Sequence, residues 1–196
     1  MQCLPLTLQG QFAQLEPLKQ DNLLDIQAAA ADGELWKLFF TSVPTHEQSQ
    51  QWLSLALELQ DQQKAIPFVV RNKNNGKIVG ATRYCNIDHH NKRLEIGHTW
   101  YAQSAQRSAI NTECKLLLLT HAFEVFNCNA VEFRTDWFNH TSQAAIERLG
   151  AKRDGVLRNH MILPDGRVRD TVVYSILHHE WMGVKKNLQY MLSKPR

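Results

Sequence analysis

The sequence predicts a single α/β (α+β) domain over residues 1–196, in which helices flank one mixed, mostly antiparallel sheet of about seven strands. The chain has 196 residues, 43% of them hydrophobic, which suits one domain with a core of its own. Short runs rich in β-branched residues alternate with longer segments of helical period. One helix lies between two strands that do not form a hairpin, so the sheet is expected to contain one parallel crossover.

The strands are predicted from short apolar runs bounded by turn residues. The sequence NKNNGK separates two such runs and indicates a hairpin, and PDGR does the same near the C-terminus. The predicted strands are 12–18, 66–71, 77–87, 93–101, 130–138, 152–163 and 168–177.

The helices are predicted from apolar periodicity and from residues that favour helix ends. Asp21 is expected to cap the first helix, which Asp32 and Gly33 end, and Thr45 with Gln48 resembles a capping box before the second. The predicted helices are 22–31, 46–61, 111–126, 139–150 and 178–192.

Composition argues against several functional classes. The net charge is +3, with 22 basic and 19 acidic residues, which is too weak to indicate nucleic-acid binding on its own. No run of about 18 apolar residues predicts a transmembrane helix, so no membrane partner is expected. The first ten residues, MQCLPLTLQG, lack the basic and apolar regions of a signal peptide, and we expect a cytoplasmic protein.

The cysteines and histidines give no metal-binding pattern. The four cysteines form no CxxC pair and are expected to be free thiols. His89-His90 and His178-His179 are adjacent pairs, whose side chains diverge on a strand, and no second ligand pair stands at zinc-like spacing. We therefore predict no metal site.

The segment 104–126 passes abruptly from polar, loop-like residues to an apolar helix. The first amides of a helix lack intrahelical partners and carry partial positive charge, so the amides between Gln106 and Thr112 are suited to bind an anion. Arg107 can add a charge-assisted hydrogen bond and Ser108 a hydroxyl. The alternative is an ordinary helix start, with Asn111 as its cap and Arg107 in solvent. Glu113 in the first turn would repel a phosphate unless it points away.

The order of elements, the segment EIGHTWYAQSAQRSAINTECKLLLLTHAFE, the segment 139–177 and the closing HHEW resemble the GNAT superfamily of acyl-CoA-dependent N-acetyltransferases. More narrowly they resemble the RimJ/RimL type, whose namesakes acetylate the N-termini of ribosomal proteins. The resemblance covers about residues 12–190 and is strongest over 93–181. It implies a sheet splayed open in its middle, with acetyl-CoA as co-substrate in the V-shaped gap.

The resemblance also assigns a pyrophosphate loop of the form Gln/Arg-x-x-Gly-x-Gly/Ala. Gln106 matches its first position, whereas Ala109 replaces the glycine and Asn111 the last small residue. If Ala109 needed a left-handed backbone, the strain would cost about 1–2 kcal/mol and weaken binding. The residues expected to hold acetyl-CoA are Thr99, Trp100, Tyr101, Gln106, Arg107, Ser108, Ala109, Ile110, Asn111, Thr112 and Asn139.

Acetyl transfer requires a neutral amine and a proton for the leaving thiolate. Glu95, in the middle of a strand next to the pantetheine-lining segment, is the candidate general base, and Ser142 is the candidate proton donor, with Tyr174 a weaker one. The alternatives are a surface ion pair of Glu95 with a neighbouring arginine, and plain helix capping by Asn139 and Ser142. An α-amine with a pKa near 8 loses its proton at pH 7.4 for about 1 kcal/mol, against about 4 kcal/mol for lysine, which slightly favours N-termini.

Three further features carry competing interpretations. The final hairpin bears a cluster that the resemblance places near the acceptor, although cross-strand ion pairs explain it equally well. Its members are Arg158, His160, Arg167, Arg169 and Asp170. Cys114 lies in an apolar helix and is expected to be buried and inert, which argues against a covalent acyl-enzyme. Trp137 and Phe138 are expected to pack in the core or line the gap, without a basic pattern that would indicate nucleic acid.

The sequence therefore predicts a cytoplasmic N-acetyltransferase that moves an acetyl group from acetyl-CoA to a primary amine in a ternary complex. The acceptor is a protein N-terminus or a small-molecule amine such as an aminoglycoside or polyamine. A non-catalytic acyl-CoA-binding or regulatory module on the same fold stays open because of Ala109. A nucleic-acid-associated protein is the weaker third hypothesis, and a homodimer has no sequence argument for or against it.

Overall fold

The protein, described by a computed structural model over residues 4–194, is built on one eight-stranded sheet. The strands in chain order are β1 Leu8–Gln9, β2 Ala13–Pro17, β3 Ile66–Asn72, β4 Ile78–Asp88, β5 Arg93–Tyr101, β6 Ala130–Asp136, β7 Lys152–Ile162 and β8 Val168–Leu177. Their order across the sheet is β1-β2-β3-β4-β5-β6-β8-β7, and only the β5–β6 pair is parallel. This confirms the predicted fold class and its single parallel crossover.

Five α-helices cover the two faces of the sheet. They are α1 Leu23–Ala31, α2 Ser49–Asp61, α3 Ala109–Thr120, α4 His140–Leu149 and α5 Trp181–Ser193. Adjacent residues of β4 point to opposite faces. The Arg83 guanidinium lies over the Trp52 ring of α2, whereas the Tyr84 hydroxyl donates to the Leu118 carbonyl of α3. Helices α2 and α3 therefore lie on opposite faces, and α5 packs on α3.

The structure corrects several details of the prediction. The additional strand is the two-residue β1, which is too short to have a sequence pattern. Asp21 does not cap α1, because it lies inside a 3₁₀ turn, Gln20–Asn22, that precedes the helix. The helix predicted over 111–126 begins earlier, at Ala109, and ends in a π-helical turn, His121–Val125.

The capping box of α2 forms as predicted, although the helix itself starts later. The Gln48 amide donates to Thr45 Oγ1 at 3.3 Å, and the Thr45 amide donates to Gln48 Oε1 at 3.4 Å. Regular helix begins only at Ser49, whose hydroxyl donates to the His46 carbonyl. The capping residues were therefore predicted correctly, and only the predicted first residue of the helix was wrong.

One apolar core lies on both faces of the sheet and holds the sheet against the helices. Its largest fully buried side chains are Phe68, Tyr84, Phe123, Phe133 and Tyr174. Cys85 and Cys114 are free thiols, as predicted, and Cys3 lies outside the described residues. No helix within residues 4–194 is both long enough and apolar enough to span a bilayer.

Candidate functional site

The sheet opens in its middle, between β5 and β6. Within the described residues, β5 and β6 pair only from Arg93 to Glu95 and from Ala130 to Glu132. Beyond this point, Ile96–Tyr101 and Phe133–Asp136 continue without a shared register. We call the space between these two segments the β5–β6 cleft. The predicted splay of the sheet is therefore present.

A β-bulge in β5 lies beside the cleft. His98 has a left-handed backbone, with φ of 49°, and the β4–β5 register shifts between Ala81 and Arg83. Protein atoms surround the His98 ring although it keeps accessible surface, as expected for a side chain in a concave opening. This crowding and the nearby Arg83 and Arg169 cations lower the pKa of His98 to about 4, so its ring is neutral at pH 7.

The N-terminus of α3 carries the predicted anion-binding amides, but Ser108 and not Asn111 caps it. Ser108 Oγ accepts from the Ile110 amide at 3.3 Å and donates to the Ala105 carbonyl at 2.6 Å. Ala109 is the first α-helical residue and has no positive φ. The replacement of glycine by Ala109 therefore introduces no backbone strain. Arg107 instead adopts the left-handed conformation, with φ of 55°, and its side chain is exposed.

Gln106 contributes to the shape of this loop through its own hydrogen bonds. Its amide donates to the Gln103 carbonyl at 3.1 Å, and its side-chain Nε2 donates to the Tyr101 carbonyl at 3.0 Å. Gln106 therefore ties the loop to the end of β5. Both donors of Gln106 are thus used within the protein, and the backbone amides that could bind a ligand follow it in the chain.

Two side chains in the first turn of α3 bear on what the loop can hold. Asn111 Oδ1 is buried and has no hydrogen-bond partner within residues 4–194. A buried acceptor without a donor is unfavourable unless a further molecule supplies one. Thr112 Oγ1, in contrast, accepts from both terminal nitrogens of Arg148 at 3.2 and 3.3 Å, which ties α3 to α4.

Glu113 points away from the loop, as its charge requires. Its carboxylate accepts hydrogen bonds from the backbone amides of Gln11, Phe12 and Ala13, each at 2.7 Å. A Cβ on Gly10 would stand 2.3 Å from this carboxylate, so glycine is required there. The β1–β2 turn thus anchors the first turn of α3 in place.

Lys115 reaches across the cleft on the α3 side. Its Nζ donates to Thr99 Oγ1 of β5 at 2.8 Å and lies 5.8 Å from the centroid of the Phe133 ring of β6. Thr99 Oγ1 is also 2.8 Å from Thr82 Oγ1. Burial lowers the pKa of Lys115 to about 8, and the structure gives it no carboxylate partner within residues 4–194.

Glu95 lies where the two strands separate, on the face opposite α3. Its Oε2 accepts from Asn86 Nδ2 at 2.7 Å and lies 3.5 Å from Arg134 Nε. Burial raises the pKa of Glu95, although the Asn86 bond and the Arg134 charge oppose this effect. The alternative interpretation, an ion pair with a neighbouring arginine, is met by Arg134, whereas Arg93 pairs with Glu132 and Arg83 lies over Trp52. Glu95 is therefore a buried carboxyl with a perturbed pKa, which is typical of functional sites.

A second charged group extends from the cleft towards the surface. Arg167 Nη2 donates to Asp136 Oδ2 at 2.7 Å, and Arg169 Nε lies 3.8 Å from the same oxygen. The Nε atoms of both arginines are buried without a hydrogen-bond partner within residues 4–194. The Arg167 guanidinium stacks 5.0 Å from the centroid of the exposed Phe39 ring, which in turn contacts Phe138. This part of the final hairpin therefore offers unused donors beside an aromatic surface.

The remainder of the hairpin cluster forms ion pairs and hydrogen bonds along the strands. Arg158 Nε donates to Asp170 Oδ2 at 3.0 Å, and His160 Nδ1 is 3.1 Å from Thr171 Oγ1. The predicted cluster therefore divides: Arg158 and Asp170 pair with each other, whereas Arg167 and Arg169 lie near the cleft.

At the start of α4, Asn139 performs the capping role. Its Oδ1 accepts from the Ser142 amide at 3.0 Å, which leaves its Nδ2 for another partner. Ser142 is half-buried. Tyr174 is fully buried and donates to Glu147 Oε1 at 3.0 Å. The role of Ser142 as a proton donor stays a prediction, and Tyr174 is occupied elsewhere.

Two other predictions bear on alternative chemistry. Cys114 is fully buried, and burial raises the pKa of its thiol to about 12, so it is inert as expected. Within residues 4–194 no group of three or more His, Cys, Asp or Glu residues is arranged to hold a metal ion.

Sequence reasoning missed Lys115, Asn86 and Asp136. A lysine and an aspartate interrupting apolar runs carry a weak signal, namely charge at positions where the pattern predicts burial. Asn86 carries no signal in the sequence, because its importance comes from a contact with Glu95 on the neighbouring strand.

Comparison with known proteins agrees with this geometry. The family model described as "Acetyltransferase (GNAT) domain" matches residues 14–152. The chain is 33% identical over 111 residues to a Bacillus subtilis (strain 168) protein named "Putative ribosomal N-acetyltransferase YdaF". That match covers 57% of this chain and 60% of YdaF.

Solved structures extend the similarity to nearly the whole chain. A GCN5-related N-acetyltransferase from Brucella melitensis superposes with a TM-score of 0.86 at 30% identity, covering 96% of this chain and 86% of that one. A protein from T. thermophilus described as a "putative acetyltransferase" reaches a TM-score of 0.85 at 34% identity, covering 98% and 100%. The chain therefore belongs to the GNAT family of acetyltransferases.

Proposed function

We propose that this protein transfers an acetyl group from acetyl-CoA directly to the α-amine of a protein N-terminus. The observation that carries the proposal is the β5–β6 cleft, which has the start of α3 on one side and the buried carboxyl of Glu95 on the other. The cofactor and the acceptor can therefore enter from opposite faces of the sheet and meet without a covalent enzyme intermediate.

The residues around α3 fit the diphosphate of acetyl-CoA. The first amides of α3 lack intrahelical acceptors, and their partial positive charge would face an anion bound at the helix N-terminus. Arg107 adds a flexible cation. The unpaired Asn111 Oδ1 can accept from an amide or hydroxyl of the same molecule, and Asn139 Nδ2 is available to donate. The backbone of Thr99–Tyr101 would hold the pantetheine arm, because β5 has no strand partner along this stretch on the β6 side.

Glu95 would accept the proton that the attacking amine loses. A carboxyl whose pKa is raised by burial is a stronger base when ionised, and the Arg134 charge and the Asn86 hydrogen bond favour its ionised form. An α-amine needs little help, since its pKa lies close to 8. The site therefore suits an N-terminal amine better than a lysine side chain.

The acceptor side supports a peptide more than a polyamine. The Nε atoms of Arg167 and Arg169 are buried without an acceptor among residues 4–194, and the backbone carbonyls of a peptide are acceptors that a polyamine lacks. Phe39 and Phe138 offer an exposed aromatic surface on which the first side chains of a peptide can pack. The name of YdaF points to the same class of acceptor for that relative.

The hypothesis of a non-catalytic binding module loses its basis. It depended on a glycine being required at position 109, and Ala109 has an ordinary helical backbone.

The test is acetyl transfer to a panel of amines, followed by release of the CoA thiol and by mass spectrometry of the products. The panel contains short peptides with free N-termini, the same peptides with blocked N-termini and an internal lysine, spermidine, and an aminoglycoside. We expect acetylation of the free N-termini alone, and strong loss of turnover in Glu95→Gln with acetyl-CoA binding retained. Acetylation of spermidine or the aminoglycoside in preference to every peptide would overturn the acceptor assignment.

A further inference from the structure

Lys115 is a charged residue inside the fold that the proposed mechanism has not used. Only 5% of the residue is exposed, and it belongs to the central part of α3. A buried lysine is normally paired with a carboxylate, because removing an ammonium from water without a counter-charge is strongly unfavourable. Lys115 has only a threonine hydroxyl and an aromatic ring as its polar contacts within residues 4–194.

Its surroundings leave the ammonium incompletely satisfied. Of its three N–H donors, one is accounted for by Thr99 Oγ1, and the Phe133 ring provides a weaker contact. Cys114 is the neighbouring titratable group, and its thiol is neutral because burial raises its pKa to about 12. A methionine would fill a similar volume without any desolvation penalty. The cation therefore requires an anionic partner that residues 4–194 do not supply.

The position of Lys115 indicates which anion this is. Thr99 belongs to β5 and Phe133 to β6, and both lie beyond the last paired residues, Glu95 and Glu132. The ammonium thus lies where the two strands have separated, on the face of the sheet that carries α3. The α3 N-terminus, which is proposed to hold the diphosphate, is on this same face, two turns before Lys115.

We infer that Lys115 binds and protonates the thiolate sulphur of CoA as it leaves the acetyl group. This inference rests on the proposed function, since it requires CoA in the β5–β6 cleft. It adds a proton donor that differs from the predicted Ser142. A serine hydroxyl carries no charge and is a much weaker acid than an ammonium.

The proton and electron balance is simple. The amine nitrogen forms a bond to the acetyl carbon and gives its proton to Glu95, while the carbon–sulphur bond breaks and its electron pair stays on sulphur. The Lys115 ammonium gives a proton to this thiolate, and CoA leaves as the thiol. The neutral amine of Lys115 then regains a proton from solvent. Burial brings the pKa of Lys115 to about 8, close to the ordinary value of about 8.5 for a thiol, so the proton can pass in either direction.

The test compares binding of CoA and of desulfo-CoA, in which hydrogen replaces the thiol, to the full chain. The wild type, Lys115→Met and the surface control Lys186→Met are titrated by calorimetry at pH 7 in two buffers of different ionisation enthalpy. The ultraviolet absorbance of thiolate is followed in parallel. None of these readouts depends on turnover.

For the wild type and Lys186→Met, we expect CoA binding to release protons, to produce thiolate absorbance from those complexes in which the shared proton lies on Lys115, and to be about tenfold tighter than binding of desulfo-CoA. Lys115→Met should bind both ligands with the same affinity and without proton release or thiolate absorbance. Its melting temperature should equal or exceed that of the wild type, because a buried charge has been replaced by an apolar side chain.

Three results would overturn the inference. If Lys115→Met still binds CoA as thiolate, Lys115 is only a structural residue and the proposed function stands. The same conclusion follows if acetyl-CoA alone acetylates Lys115, since an amide there cannot donate a proton to sulphur. If neither CoA nor desulfo-CoA binds the wild type, both the inference and the proposed function fail.

Discussion

Glu113 connects two parts of the chain that are about 100 residues apart in sequence, and its removal should be among the most damaging single changes outside the cleft. The carboxylate accepts three backbone hydrogen bonds, from Gln11 at Oε1 and from Phe12 and Ala13 at Oε2. It also places negative charge in the first turn of α3, which the helix dipole favours.

The expected loss follows from these contacts. Hydrogen bonds to a charged group contribute about 1.5–3 kcal/mol each, and the amides of Gln11 and Phe12 can be hydrated in part after Glu113→Ala. We therefore expect Glu113→Ala to lower the free energy of unfolding by about 3–5 kcal/mol. At about 2–4 °C per kcal/mol for a chain of this size, the melting temperature should fall by about 6–20 °C.

A graded variant separates the hydrogen bonds from the volume of the side chain. Glu113→Gln can keep an oxygen at the Oε2 position for Phe12 and Ala13, but its amide group would face the donor of Gln11. The expected loss is about 1–2 kcal/mol, less than that of the alanine variant.

The assay is urea unfolding followed by circular dichroism, with Glu34→Gln as the control. Glu34 forms an exposed ion pair with Lys37, with its side chain 53% accessible, and its loss should change stability by less than about 0.5 kcal/mol. If Glu113→Ala falls within the range of this control, the three hydrogen bonds do not anchor α3. Equal losses for the glutamine and alanine variants would refute the graded interpretation.

Three further changes test the cleft. Arg107→Gly removes a cation and a left-handed backbone strain together, so the melting temperature should stay within about 2 °C while KM for acetyl-CoA rises about fivefold; a large drop in melting temperature would contradict this. Ser108→Ala removes the α3 cap and should lower the free energy of unfolding in urea by about 1 kcal/mol. The control is Ser104→Ala, at an exposed residue, which should lose only the hydrogen bond to Asp32. Because burial raises the pKa of Glu95, the folded state holds that proton to higher pH than the unfolded state does, and this group's contribution to stability falls as pH rises from the ordinary glutamate pKa to the raised one. Glu95→Gln should therefore gain stability relative to the wild type as the pH rises above the ordinary glutamate pKa, and a gain that shrinks as the pH rises would show that the pKa is not raised.

The elements that the sequence predicted well are those with local signals. The β3–β4 hairpin and the final hairpin are marked by Asn, Gly, Pro and Asp turns, and Gly150 at the end of α4 has the expected left-handed φ of 103°. The start of α3 was located from the change from polar to apolar residues. Its cap was not, because Ser108 and Asn111 are both good capping residues and only the backbone geometry distinguishes them.

The parts of the site that could not be predicted depend on contacts between distant segments. Nothing in the neighbourhood of Glu113 shows that three amides around Phe12 will surround it. Likewise, the environment of Glu95 is set by Asn86 on β4 and Arg134 on β6, which the sheet brings together. Local propensity carries no information about such pairs, so the sequence could name candidate residues but could not predict their surroundings.

The two charged residues of α3 make the same helix serve two purposes. Glu113 points towards the β1–β2 turn and accepts three hydrogen bonds there, so its charge lies away from the amides that are proposed to bind the cofactor. Lys115 projects into the β5–β6 cleft and contacts Thr99 and Phe133 on its two walls. One carboxylate therefore fixes where the helix begins, and one ammonium, two residues later, is held in the cleft by that fixed position. If the anchor is lost, the position of Lys115 should loosen with it, so Glu113→Ala is expected to reduce thiolate formation by CoA even though its side chain never enters the cleft.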